Sequence, residues 1–294
     1  TMLCVIENAR LRVSVSSRGA ELQSVYGKAA DTEYLWQGDP AFWSGRAPNL
    51  FPVCGRLTEE KYTCGGKVYR MDIHGFAKDA EWAVVRQEAD TVTLRLCSSP
   101  DTLRMYPWRF SLDMTYTLTG STLSAAFIVH NLDETPMRFA VGGHPGFNVP
   151  LSAGEAFEDY FIEFDEPCTP ELLIMSDSCF YTGEVRPVPT DAQNRLWLTH
   201  RMFDRDAWFF RNTAKGLTLR SVHGARRVHM AFPDMTYIGL WHRPFSEAPY
   251  VCIEPWSGSP GLDRPGVAAL EDKPDMTALP PCGIYRNTYT MTFA

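Results

Sequence analysis

The chain has 294 residues and a mass of 33.2 kDa, with 45% hydrophobic and 21% charged residues and a net charge of −7. That mix belongs to a globular chain long enough to bury a core, and it excludes a disordered or fibrous protein. An acidic balance without any basic block argues against nucleic acid as a partner.

Thr1–Arg12 reads as mixed strand and lacks the basic-then-apolar leader of an exported chain. No apolar run approaches the roughly 20 residues that span a bilayer. Leu11–Ser16 alternates apolar and polar residues, as do Ala83–Gln87 and Thr91–Leu96. Phe110–Leu118 repeats the pattern, turns through Thr119–Thr122, and continues in Leu123–Val129. Period two with β-branched and aromatic residues predicts antiparallel hairpins. Further strands are expected at Asp159–Phe164, Leu196–Thr199, Gly216–Ser221, Arg227–Phe232, Tyr237–Trp241, Tyr250–Ile253 and Tyr285–Phe293. The 21 Gly and 21 Pro are spread throughout and break any long helix. Short helical turns fit only Pro40–Trp43, Asp101–Tyr106 and Val267–Glu271. With no linker, repeat or low-complexity stretch, residues 1–294 read as one all-β domain, a large antiparallel β-sandwich with a few short helices.

The eight cysteines form no CxxC and no zinc-spaced pair with histidine. They predict free thiols, a reducing cytoplasmic location and no bound metal. Nucleotide loops, a GxSxG elbow and HExxH are all missing. Three polar residues stand in Gly/Pro/aromatic settings: His74 in Ile73–Phe76, His144 in Gly142–Phe147, and Glu254 in Cys252–Trp256. Glycines beside His144 imply either a sharp turn or a close approach. Glu254 ends an apolar strand, where partial burial would raise its pKa and make it a better base. Each residue alone also fits a core histidine or a solvated rim carboxylate. Arg56 closes a loop stiffened by Pro48, Pro52 and Gly55, and could equally pair with a surface acid.

Asn49–Leu57, Tyr69–Ala77, Gly143–Phe147 and Ile253–Gly258, in that order and spacing, resemble the aldose 1-epimerase (galactose mutarotase-like) family. The look is that of the branch typified by the epimerase-like protein of bacterial lactose operons. The resemblance implies a large antiparallel β-sandwich and cofactor-free interconversion of the α and β anomers of an aldohexose. By that resemblance Glu254 is the base that takes the C1 hydroxyl proton. His144, expected on the opposite side of the acetal centre, is the acid that protonates the ring oxygen. His74 and Arg56 would bind sugar oxygens, and Asp206 is the matching sugar-binding aspartate. Asp204 remains open, because two residues apart on a strand both would share a face. His242 and Arg243 are loop residues within possible reach of the pocket, and Phe147, Trp256 and Phe232 are candidate stacking platforms. Alternatives are a hexose-6-phosphate mutarotase using Arg46, Arg226, Arg227 or Arg243, a non-catalytic carbohydrate-binding protein, and a two-carboxylate glycosidase. A monomer or homodimer is expected.

Overall fold

A computed structural model describes all of residues 1–294. The expected hairpin is its longest: Phe110–Thr119 pairs antiparallel with Thr122–Asn131, from Phe110 opposite Asn131 to Thr119 opposite Thr122. The two-residue loop places Gly120 at φ 59°, where a side chain would be strained. Along Thr122–Asn131 every second residue is buried, including Leu123, Ala125, Phe127 and Val129. This hairpin lies within a nine-stranded sheet. An eight-stranded sheet holds Glu171–Met175, Trp208–Arg211, Tyr237–Trp241 and Tyr250–Trp256 as adjacent strands. A four-stranded sheet is formed by the first strands of the chain. All pairings between named strands are antiparallel, and the fold is the expected β-sandwich.

The two large sheets share one core of 63 buried residues, to which Phe127 and Val129 come from one sheet and Val251 and Ile253 from the other. Phe147 and Phe293 meet across it with ring centroids 6.4 Å apart. Because strand side chains alternate, Ile238, Leu240, Val251 and Ile253 face this core. The opposite face of the eight-stranded sheet carries Phe209, Tyr237 and Trp256, which form a separate small cluster. The candidate site lies on that second face.

Several elements differ from expectation. Leu22–Gly27, Glu171–Met175, Tyr181–Pro187 and Trp208–Arg211 are strands that simple alternation does not mark. Lys61–Cys64 and Lys67–Arg70 form a hairpin through Gly65 and Gly66, both at positive φ, for which the Gly-Gly pair was the available signal. Pro40–Trp43 makes only a turn, closed by Phe42 and Trp43 N–H groups on Asp39 O. Helix does form at Pro100–Met105, where Ser99 and Thr102 cap each other reciprocally.

The strand expected to stop at Ile253 continues to Trp256, through Pro255. Amides two apart in a strand point to the same neighbour. Ile253 N–H donates to Pro145 O at 3.1 Å and Ser257 N–H to Val141 O at 2.9 Å. Pro255 therefore faces the intervening Gly143–His144 segment, where no ladder bond forms and the missing N–H costs nothing.

Replacing Phe127, which is fully buried, by Ala is expected to cost about 3–5 kcal/mol in denaturant unfolding. Phe245→Ala, at a residue 83% exposed, should stay within about 0.5 kcal/mol.

Candidate active site

Glu254 sits inside its strand and not at its end, and it is 1% exposed. Opposite it in the ladder is Gly239. A Cβ there would lie 2.7 Å from the Phe209 ring, so the glycine lets that ring close over the sheet beside Glu254. His144, also buried, brings Nε2 to 3.3 Å from Glu254 Oε1. Nevertheless Glu254 Oε1, His144 Nδ1 and Trp256 Nε1 have no hydrogen-bond partner. Buried polar atoms are seldom left unpaired in folded proteins, so three on residues lining one cavity single this place out as a candidate site.

The glycines around His144 serve close approach and not a sharp turn, since none of Gly142, Gly143 and Gly146 has positive φ. A Cβ on Gly142 would lie 2.7 Å from Trp256 Cδ1, and one on Gly143 would lie 2.5 Å from the Tyr289 hydroxyl. The left-handed backbone occurs instead at His74 and Gly75, with φ 66° and 75°. It turns His74 back onto the Arg56 loop. His74 N–H donates to Gly55 O, and Gly55 N–H donates to His74 Nδ1, both at 3.0 Å. A backbone amide can only donate, so Nδ1 carries the lone pair and Nε2 carries the proton. His74 is thereby fixed as a neutral imidazole offering one N–H. Its ring stands edge-on to His144 and to Trp256, each with centroids 5.4 Å apart.

Burial dominates the electrostatics. It pushes the Glu254 carboxyl well above the usual range, and neighbouring Asp206 adds to this. It pushes His144 down to about 4. His74 is driven well below its ordinary value by burial, then by His144, Lys78, Arg56 and Lys273. For Glu254 and His144 both shifts favour neutral forms, so one proton shared by the pair rests on the carboxyl.

Arg56 and Asp206 meet across the mouth, Nη1 to Oδ2 at 3.5 Å. The Arg56 side chain is 43% exposed, so this long contact is weak and leaves both groups free to take other partners. Asp204 and Asp206 do not share a strand face. Their segment is a turn, with Asp204 in helical φ/ψ and Asp206 at φ 96°, and the strand begins only at Trp208. Asp206 lines the pocket with Glu254, whereas Asp204 accepts the Phe245 N–H at 3.0 Å.

Glu254, His144, His74, Arg56 and Asp206 thus border one cavity of about 300 Å³, at the lower end of ordinary small-molecule sites. Sequence reasoning missed Trp43, Lys78, Phe209 and Trp241, which also line it. Trp43 lies 5.1 Å and Trp241 5.7 Å from the His144 ring, centroid to centroid. Strand parity was a usable signal for Trp241, two residues beyond the partner of Glu254. Of the proposed platforms only Trp256 is at the pocket, because Phe147 and Phe232 face the large core.

His242 and Arg243 do not reach the pocket. His242 is fully buried, bonded to His200 Nδ1 at 2.9 Å and to Arg243 O at 2.7 Å. Arg243 donates to Ala41 O and Phe42 O. Arg46 and Arg226 are likewise spent on backbone carbonyls, and neither they nor Arg227 line the cavity. A larger groove of about 950 Å³ lies around Phe76, Arg95 and Met105 but contains none of Glu254, His144, His74, Arg56 and Asp206. All eight cysteines are free, and no helix is long and apolar enough to cross a membrane.

A family model for aldose 1-epimerases matches residues 2–267, and the chain belongs to that family. Within it, the chain is 33% identical over 306 residues to the plasmid-encoded protein LacX of Lactococcus lactis subsp. lactis, covering 99% of each. It is also similar to a galactose mutarotase related enzyme from Lactobacillus acidophilus, with TM-score 0.94, 31% identity, and coverage of 100% of this chain and 97% of that one. A galactose mutarotase-like protein from Lactobacillus casei gives TM-score 0.94 at 32% identity, with both chains fully covered.

Gly75→Ala tests the His74 loop, since its Cβ would fall 2.1 Å from Phe51 O at positive φ. The expected loss is about 1–3 kcal/mol in chemical unfolding. Wild-type stability in that variant would show that the close approach is not made.

Proposed function

We propose that the protein is a mutarotase that interconverts the anomers of a free aldohexose by general acid–base ring opening. The carrying observation is the buried His144–Glu254 contact at 3.3 Å, with unpaired buried polar atoms on residues that line a sugar-sized cavity. In a cyclic sugar the C1 hydroxyl oxygen and the ring oxygen share one carbon. A proton acceptor and donor for those two atoms must therefore be neighbours, which favours adjacent side chains over ones on opposite sides of the acetal centre.

At rest the shared proton sits on Glu254, and opening starts from the tautomer in which it has moved to His144, leaving Glu254 ionised and His144 protonated. The carboxylate takes the C1 hydroxyl proton, the imidazolium gives its proton to the ring oxygen, and the C1–O bond to the ring breaks. The pair is then neutral on both sides, the state burial favours. After rotation about C1–C2, closure reverses the transfers. Glu254 returns its proton to the carbonyl oxygen, His144 takes one from the attacking hydroxyl, and the other anomer results. The total proton count of the pair never changes, so no metal or cofactor is required by this chemistry. The fixed Nε2–H of His74 suits a ring or hydroxyl oxygen. Arg56 and Asp206 can exchange their weak contact for sugar hydroxyls, and Trp43, Phe209, Trp241 and Trp256 supply apolar faces.

The free-sugar reading is preferred over a phosphorylated one because Arg46, Arg226, Arg227 and Arg243 lie away from the cavity, and its own cations Arg56 and Lys78 each already contact a carboxylate, Asp206 and Asp79. Polarimetry on fresh α-glucose, α-galactose and α-glucose 6-phosphate tests this. Catalysed decay of rotation with a free hexose supports the proposal, and decay with the phosphate alone would replace it. No catalysis with any of the three would leave a binding protein.

Glu254→Gln and His144→Ala should each lower kcat by about 10²–10⁴-fold with little change in binding. Wild-type turnover in Glu254→Gln would remove it as the base. Substitution of Arg56, His74 or Asp206 should raise KM, and Arg56→Lys should not rescue, because an ammonium lacks the planar fork. Asp206→Asn should raise KM while Asp204→Asn stays nearly silent. Turnover should also survive exhaustive dialysis against a chelator; loss restored by one divalent ion would refute the metal-free mechanism.

A further inference from the structure

Cys252 precedes Glu254 by two residues, so both side chains project to the same face of the strand. It is fully buried, and its register partners are Gly146 on one side, with no side chain, and Trp241 on the other. Its sulfur, a ring nitrogen of His144 and a carboxylate oxygen of Glu254 all lie within 4.8 Å of one another. Cys252 has no part in the proton transfers described above.

Thiolate, imidazole and carboxylate are the three ligand types that Zn²⁺ takes in tetrahedral sites, with bonds of roughly 2.0–2.3 Å. Such bonds hold the ligand atoms roughly 3.3–3.5 Å apart. The His144 Nε2–Glu254 Oε1 separation of 3.3 Å already has that value. The sulfur, no more than 4.8 Å from the other two ligand atoms, needs a shift of about 1.5 Å at most to complete the set. Glu254 Oε1, the atom that His144 Nε2 approaches, is buried and has no hydrogen-bond partner, which is the second sign of a place prepared to receive a ligand. His144 and Glu254 line the cavity, which gives an ion a route to the pair, although Cys252 is not part of the cavity wall.

We propose that His144, Cys252 and Glu254 form an inhibitory site for a thiophilic divalent cation of the Zn²⁺ class. On binding, the Cys252 S–H and Glu254 O–H bonds break and both protons pass to solvent. Metal–sulfur, metal–oxygen and metal–nitrogen bonds form, and no electrons are transferred. The ion occupies both groups that shuttle protons, so a loaded chain cannot open a sugar ring. A hard ion such as Mg²⁺, which demands an octahedral oxygen shell, does not fit this donor set. The inhibitory consequence rests on the mutarotase reading, whereas occupancy of the site does not.

The test uses the full chain carrying Cys97→Ser and Cys282→Ser, which removes the two exposed thiols. Co²⁺ is the probe, because a thiolate ligand gives it a near-ultraviolet charge-transfer band. One Co²⁺ per chain with that band is expected, together with Zn²⁺ inhibition in polarimetry and no effect of Mg²⁺. Cys252→Ala should abolish the band while leaving metal-free turnover unchanged. It should also raise the Zn²⁺ concentration for half-inhibition by more than the roughly 10–100-fold that loss of a mere outer-shell partner costs. Should that variant not fold, Glu254→Gln, which keeps side-chain volume, must weaken Co²⁺ binding by a comparable factor. A band that survives Cys252→Ala or Glu254→Gln at unchanged affinity, or no band at all, overturns the proposal. A Co²⁺ band in a chain that shows no mutarotation would sink the enzymatic reading and leave the metal site standing.

Discussion

The alternation of side chains along Tyr250–Trp256 is the constraint on which the remaining organisation depends. Val251 and Ile253 are committed to the core between the sheets, so Cys252, Glu254 and Trp256 must emerge on the other face. A slip of one residue would put a carboxylate into the hydrophobic core and two aliphatic side chains into the cavity. Pairing with Tyr237–Trp241 on one side and with Gly142 and Gly146–Asn148 on the other prevents that slip. The gap in the second ladder is where His144 enters. Pro255 is tolerated at the same place, because the backbone there has no partner to lose.

Once Glu254 is buried by this geometry, its chemistry follows from its surroundings. Removal of water disfavours charge on both Glu254 and His144, and neither is matched with a fixed counter-ion. The ionised and neutral arrangements of the pair differ only by one proton moved over a short distance. A strong permanent ion pair in the same position would hold the ionised form and resist that transfer. His74, Arg56 and Asp206 obey a different logic. His74 is locked by backbone bonds and has a single possible role as donor, while Arg56 and Asp206 meet at the solvent edge through a contact weak enough to exchange.

Much of this was legible in the residues. The period-two strands at Phe110–Leu118 and Leu123–Val129 follow from local pattern, and so does the sandwich. The motifs around Arg56, His74, His144 and Glu254 carry the family, and the structure brings those residues to one cavity. Three kinds of feature lay beyond the sequence. Strand extents depart from the local pattern where long-range pairing overrides it, as at Pro255 and at Glu171–Met175. Side-chain direction in the Asp204–Asp206 turn depends on a positive φ that no spacing rule specifies. Pocket membership of Trp43 and Lys78, and the withdrawal of His242 and Arg243, depend on how distant loops pack.

Trp43 shows what such packing does. Its carbonyl accepts from Trp36 Nε1 at 2.8 Å, and the carbonyls of Phe42 and Ala41 accept from Arg243 at 3.2 and 3.4 Å. Its ring also lies against those of Trp241 and Tyr250. The turn is therefore tethered at both the backbone and the ring before any sugar arrives. A loop that had to be ordered by its ligand would charge that ordering against affinity, at about 0.5–1.5 kcal/mol for each rotamer-rich side chain immobilised. Here the conformational entropy is surrendered during folding, and the wall above His144 would meet an incoming ligand already in place.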